Sequence, residues 1–137
     1  MSRSFAYDDR YDPPAPMVPL RVSNPTGVDG VLLTVLVDTG ADATVIPESV
    51  AEQLGLPVVG YAEITGVGGA KQEIAMHAAV VHLAGVEIML RVAAFEGERL
   101  VGRDLLGHLV ARLDGPRRAL SFELGSPEGY GTAFSSW

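Results

Sequence analysis

The chain contains no cysteine. Disulfides, thiolate nucleophiles and cysteine-ligated zinc are therefore excluded. It has no run of lysine and arginine, and its 10 basic residues are outnumbered by 17 acidic ones, for a net charge of −7. A nucleic-acid partner is not expected from such a balance. No apolar stretch approaches the length of a membrane span. The opening residues Met1 to Arg10 lack the apolar core of a signal peptide, so the expected location is cytoplasmic, with no membrane partner. The three histidines make no ligand set. His77 and His82 lie five apart on a strand-like segment and face opposite sides, and His108 stands in a separate segment. No metal and no cofactor are expected. The Gly66 to Gly69 run is followed by no Lys-Ser/Thr and opens no helix, which rules out a phosphate-binding loop.

What is present suffices for one domain. The chain has 137 residues, and 47% of them are hydrophobic, enough to bury a core. Residues 1–17 are rich in Asp, Tyr and Pro and read as an extended, mobile arm. Strands are expected at Val18–Val22, Val31–Val37 and Val45–Ile46, and a long hairpin at Leu56–Ile64 and Ala70–Ala84. Val86, Ile88, Leu90 and Val92 alternate with Glu87, Met89 and Arg91, the period of a strand with one buried face. Val110–Leu113 and Arg118–Leu124 form a last hairpin around Asp114-Gly115-Pro116. Two short helices are expected, one from Pro47 at its first position to a stop at Gly55, the other over Arg103–Leu109. The sum is an all-β domain, mostly strand with two short helices, curling towards a barrel. Two parts of the chain are alike in outline: each has an apolar strand, a glycine loop (Gly40, Gly102) and a short helix. Residues 125–137 form a Gly/Ser-rich tail. Six of the nine aromatics fall in the arm and the tail, so at least one of these is expected to dock on its own domain or on a partner subunit.

The chain is organised around Leu36-Val37-Asp38-Thr39-Gly40-Ala41-Asp42. An apolar strand ends here in a carboxylate and a Thr-Gly turn. A carboxylate at the end of a buried strand must be paired, hydrogen-bonded or sharing a proton. This stretch resembles the active-site motif of the retropepsin-like (retroviral-type, single-lobed) aspartic proteases. Ile64-Thr65-Gly66-Val67-Gly68-Gly69 is similar to the family's flap, and Leu100-Val101-Gly102-Arg103-Asp104-Leu105-Leu106 to its second apolar-Gly element and C-terminal helix. Arg118–Leu124 is similar to the closing strand, so the resemblance spans residues 18–124.

The resemblance implies a single-lobed acid-protease barrel with a flap hairpin. Asp38, Thr39 and Gly40 would be the catalytic set. Ala41, Asp42, Ile64, Thr65, Gly66, Val67 and Gly68 would contact substrate, and Gly102 and Arg103 would form a structural brace, with Arg103 paired to Asp42. Amide hydrolysis without metal or covalent intermediate needs one group to activate water and another to deliver a proton, which two carboxylates sharing a proton can do. The sequence holds one Asp-Thr-Gly; Asp29-Gly30 and Asp114-Gly115 lack the middle hydroxyl residue. The second carboxylate must then come from a second chain, as an Asp38/Asp38′ dyad in a C2 homodimer. In retroviral relatives the chain termini interleave into a dimer sheet. The expected partners are thus a peptide or protein substrate and a second copy. The alternative is a non-catalytic dimeric peptide-binding or adaptor module that retains the fold.

Overall fold

The computed structural model describes residues 2–27 and 29–123. Its strands are β1 (Ser2–Ala6), β2 (Met17–Ser23), β3 (Gly30–Val37), β4 (Val45–Ile46), β5 (Val58–Thr65), β6 (Lys71–Leu83), β7 (Val86–Ala94), β8 (Leu100–Val101), β9 (Val110–Asp114) and β10 (Ala119–Glu123). Two short helices, α1 (Glu48–Leu54) and α2 (Arg103–Leu106), interrupt them. Seven strands form one sheet in the order β2-β3-β8-β4-β7-β6-β5. A further antiparallel pairing, Arg21↔His82 to Ser23↔Val80, joins β2 to β6 and closes the sheet on itself. The expected mostly-β barrel with two short helices is what forms.

Alternation places the core. In β7, Val86, Ile88, Leu90 and Val92 are buried while Glu87, Met89 and Arg91 are exposed, as a half-buried strand requires. The side chains of Ile88, Leu90 and Val92 meet Val18, Leu20 and Val22 of β2, Leu33 and Val35 of β3, and Val81 and Leu83 of β6 in one cluster. The β6–β7 turn uses Ala84 and Gly85, both at positive φ (51° and 89°), the conformation that matches strand twist in a two-residue hairpin.

Local chemistry fixes the helix ends. Pro47 precedes α1 in extended conformation (φ −61°, ψ 141°) instead of occupying its first turn, and Gly55 ends α1 in the left-handed region (φ 61°). The Asn24 side-chain amide donates to the carbonyls of Leu54 and Gly55, both at 2.9 Å, covering two acceptors that the helix leaves open. Helix α2 is shorter than the expected Arg103–Leu109. After the Gly107 N–H bonds to Arg103 O (2.8 Å), the His108 and Leu109 N–H groups reach back only three residues, to Leu105 and Leu106. The last turn tightens and the helix stops.

The second sheet, in the order β1-β10-β9, overturns the reading of the N-terminal residues as a mobile arm. β1 pairs antiparallel with β10 from Ser2↔Glu123 to Ala6↔Ala119. Phe5 meets Phe122 edge-on, with ring centroids 6.1 Å apart at 64°, a favoured aromatic geometry. Phe122 and Leu120 are buried, and Phe5 and Tyr7 pack against the same core. The expectation that one end of the chain docks on its own domain is met here. The aromatics of the tail, Tyr130, Phe134 and Trp137, lie outside the described residues.

Candidate active site

The site loop is carried by two parallel strand pairings. β3 runs beside β8 (Leu36↔Leu100, Val37↔Val101), and β4 runs beside β7 (Val45↔Ala93, Ile46↔Ala94). Between them the chain turns through Asp38–Thr44. The Asp38 N–H donates to Val101 O at 3.0 Å and the Leu36 N–H to Arg99 O at 3.0 Å, which ties the end of β3 to the second loop. The Asp38 carboxylate is half-buried. One of its oxygens accepts the Gly40 N–H at 2.9 Å, and the Ala41 N–H closes the turn on Asp38 O at 3.2 Å. A Cβ at residue 40 would sit 3.2 Å from that same carboxylate oxygen, so glycine leaves the carboxylate room.

The structure brings Arg103 and Asp42 together. Arg103 donates to the Thr39 carbonyl at 2.7 Å and forms an ion pair with Asp42. One guanidinium thus holds two points of the loop, a use to which its planar fork is suited. Both partners of the ion pair are largely exposed, so the carbonyl bond contributes more to order than the charge pairing does to stability. Gly102 is required by contact: a Cβ there would lie 2.7 Å from the Ala43 carbonyl carbon and oxygen and 2.9 Å from Ala41 O.

A second tie escaped the sequence reading. Thr44 is fully buried. Its hydroxyl donates to Asp104 Oδ1 at 2.8 Å and accepts the Gly102 N–H at 3.2 Å, and its own N–H donates to Asp104 Oδ2 at 2.9 Å. Asp104 Oδ1 also accepts the Leu105 N–H at 2.8 Å. The only sequence signal was the outline similarity of the two glycine loops, which gave no reason to pair residue 44 with residue 104.

Asp38 opens onto a groove of about 710 Å³ whose walls include Thr34, Leu36, Leu100, Arg99, Glu96 and Glu98. Arg10, Tyr11, Ala15 and Met17 complete it, residues that the sequence reading assigned to the arm or its edge. They are held there by the Asp8↔Ala15 bridge and by Arg10, whose guanidinium bonds Asp8 at 2.9 and 2.6 Å. The side-chain and backbone bonds from Arg10 hold the Asp8 carboxyl down at about 2. The expected substrate-contacting residues Ile64, Thr65, Gly66 and Gly68 lie at the β5–β6 hairpin tip, apart from this groove in the single chain. The tip is closed by Gly66 N–H to Ala70 O at 2.7 Å, with Gly68 and Gly69 at φ 85° and 80°. His77 bonds the Leu56 carbonyl at 3.0 Å, a packing role.

A closed β-barrel whose strand-borne Asp-Thr-Gly loop is locked onto a Gly-Arg-Asp loop is a retropepsin-like fold. The family model described as "gag-polyprotein putative aspartyl protease" matches residues 25–110, well over half of the chain, and the chain belongs to this family. Among solved structures it is similar to EIAV protease complexed with an inhibitor, at 27% identity, covering 68% of this chain and 86% of that one with a TM-score of 0.52. It shares its fold with a retropepsin-like aspartic protease from Rickettsia conorii, at 16% identity, covering 89% and 91% of the two chains with a TM-score of 0.52. No curated protein matches the chain significantly.

Proposed function

We propose that the protein is an aspartic endopeptidase that hydrolyses peptide bonds as a homodimer, with water activated between Asp38 and its symmetry mate. The observation that carries this reading is the placement of Asp38. Its carboxylate is half-buried at the end of β3, bonded to one backbone N–H, and open to a groove. One carboxylate can act as base or as acid. A pair sharing one proton can do both in a single step, because mutual repulsion separates the two apparent pKa values of the pair. In this reading Thr39 and Gly40 shape the loop that presents the carboxylate, and Ala41 and Asp42 meet the substrate backbone. Gly102 and Arg103 hold the loop. Residues Ile64 to Gly68 close over an extended peptide as a flap, which adds to the site as a strand.

The test is digestion of a diverse peptide library by the wild type and by Asp38→Asn between about pH 4 and pH 7. Cleavage by the wild type alone is the expected result. Binding of peptides without cleavage by either protein would favour the adaptor reading. Equal cleavage by both would remove Asp38 from the chemistry.

A further inference from the structure

The groove beside Asp38 is uneven in its chemistry. Leu36 of β3 and Leu100 of β8 pair side by side, and with Met17 they give it an apolar wall. Glu98 lines the same groove two residues before Leu100, on the segment that joins β7 to β8. Leu36 stands two residues ahead of Asp38, so Glu98 belongs to the wall and not to the reacting carboxylate. Glu98 is exposed, and among the described residues its carboxylate has no hydrogen-bond or ion-pair partner. Glu96 lines the groove too, with one oxygen accepting the Ser49 N–H at 3.3 Å. Positive charge is scarcer. Arg10 is bonded to Asp8 at 2.9, 3.2 and 2.6 Å, and the pair is neutral as a unit. Among the side chains of the groove that leaves Arg99 against three carboxylates, Asp38, Glu96 and Glu98. Tyr11, 50% exposed, adds an aromatic face.

We propose that Glu98 selects substrates that carry arginine or lysine near the bond to be cut. This rests on the protease reading of the site and adds a substrate class to it. A long basic side chain has an aliphatic stem and a charged head. The stem matches the wall of Leu36 and Leu100, and the head meets a carboxylate that has no other partner. The Tyr11 ring offers the cation a further favourable face. A neutral aliphatic side chain would gain the wall alone. It would leave Glu98 to lose water without a partner as the peptide covers the groove, which is costly. An acidic side chain would meet like charge. The net charge of −7 works in the same direction, drawing cationic peptides towards the protein.

The test compares peptides that differ at one position near the cut, with arginine in one and methionine in the other. It is run at the upper end of the pH range in which the wild type cuts, where carboxylates are ionised. The wild type should favour the arginine peptide in kcat/KM by roughly tenfold, the low end for a close charge pair across an interface. Glu98→Gln should reduce that ratio to about twofold or less, and Glu98→Lys should turn it towards a glutamate peptide. Added salt should shrink the wild-type ratio. Glu87→Gln, on the exposed face of β7, should leave it unchanged. Wild-type cleavage with no preference for a basic residue at any position near the cut would overturn the proposal and leave the protease reading standing. So would an undiminished preference in Glu98→Gln. If the wild type cuts nothing, the same peptides carrying a fluorescent label are titrated against it. Tighter binding of the arginine peptide that Glu98→Gln abolishes would uphold the role of Glu98 while the protease reading falls. Equal binding of the two peptides would end both.

Discussion

Replacing Thr44 by valine would remove one hydroxyl from the join between the two glycine loops and almost nothing else. The side chain is fully buried, and valine fills nearly the same volume. Two bonds are lost: the donation to the Asp104 carboxylate at 2.8 Å and the acceptance of the Gly102 N–H at 3.2 Å. A hydrogen bond to a charged group contributes about 1.5–3 kcal/mol, and a buried N–H left without a partner costs about 1–3 kcal/mol. The terms are not additive, and Asp104 keeps its bonds from the N–H groups of residues 44 and 105. A destabilisation of about 2–4 kcal/mol follows. In a chain of this length that lowers the melting temperature by roughly 6–16 °C. The assay is thermal and urea unfolding at fixed protein concentration, since in the proposed homodimer both would depend on concentration. Thr44→Ser is the control. It keeps the hydroxyl, loses one methyl, and should cost about 1 kcal/mol. A Thr44→Val change below about 0.5 kcal/mol, or a serine variant as damaged as the valine one, would refute the claim that this hydroxyl holds the loops together.

Three further outcomes follow from the same geometry. Gly102→Ala forces a Cβ to within 2.7 Å of the Ala43 backbone, so the loops must separate; in the proposed protease, peptide cleavage should fall about a hundredfold even where the variant stays folded, as read from kcat and circular dichroism together. Phe122→Ala empties a fully buried site and removes the edge contact to Phe5. It should cost about 3–5 kcal/mol in urea unfolding and make residues 2–6 the first segment cut by a nonspecific protease. The loop closed by Asp8 and Arg10 should loosen in acid. The Asp8 carboxyl is depressed from 3.8 to about 2 by its bonds from Arg10, so its contribution is complete above 3.8 and is lost as the pH falls towards 2. Hydrogen exchange at the Asp8 and Ala15 amides should accelerate over that window beyond its intrinsic pH dependence, and Asp8→Asn should show the loosened state throughout.

The legibility of the sequence divides along the range of the interactions. Strand β7 was plain because four buried aliphatics alternate with three exposed side chains inside nine residues. The Asp38 turn was plain because strand, carboxylate and glycine are adjacent in the chain. The Arg103–Asp42 pairing came from resemblance, since no local pattern connects the two residues. Strand β1 was missed. Ser2-Arg3-Ser4-Phe5-Ala6 has a single large apolar residue, and its reason to be extended lies in Phe122 and the free edge of β10 at the other end of the chain. Asp104 was missed for the same reason: its partner is Thr44, and one buried threonine among apolar neighbours looks like a strand former. The length of α2 was overestimated because leucines continue to residue 109, while from His108 onward the backbone N–H groups reach back only three residues.

The parallel pairing of β3 with β8 sets an order of events during synthesis. Asp38 leaves the ribosome long before Val101, yet its backbone N–H is held by the Val101 carbonyl, and its loop by Arg103 and the Asp104–Thr44 tie. A nascent or prematurely terminated chain has the aspartate and lacks everything that orients it. Non-local closures of this kind form late, after the cost of the long intervening loop has been met. The carboxylate is thus positioned only in a chain whose barrel is almost complete, and in the proposed protease unfinished copies would leave uncut the polypeptides still being made around them.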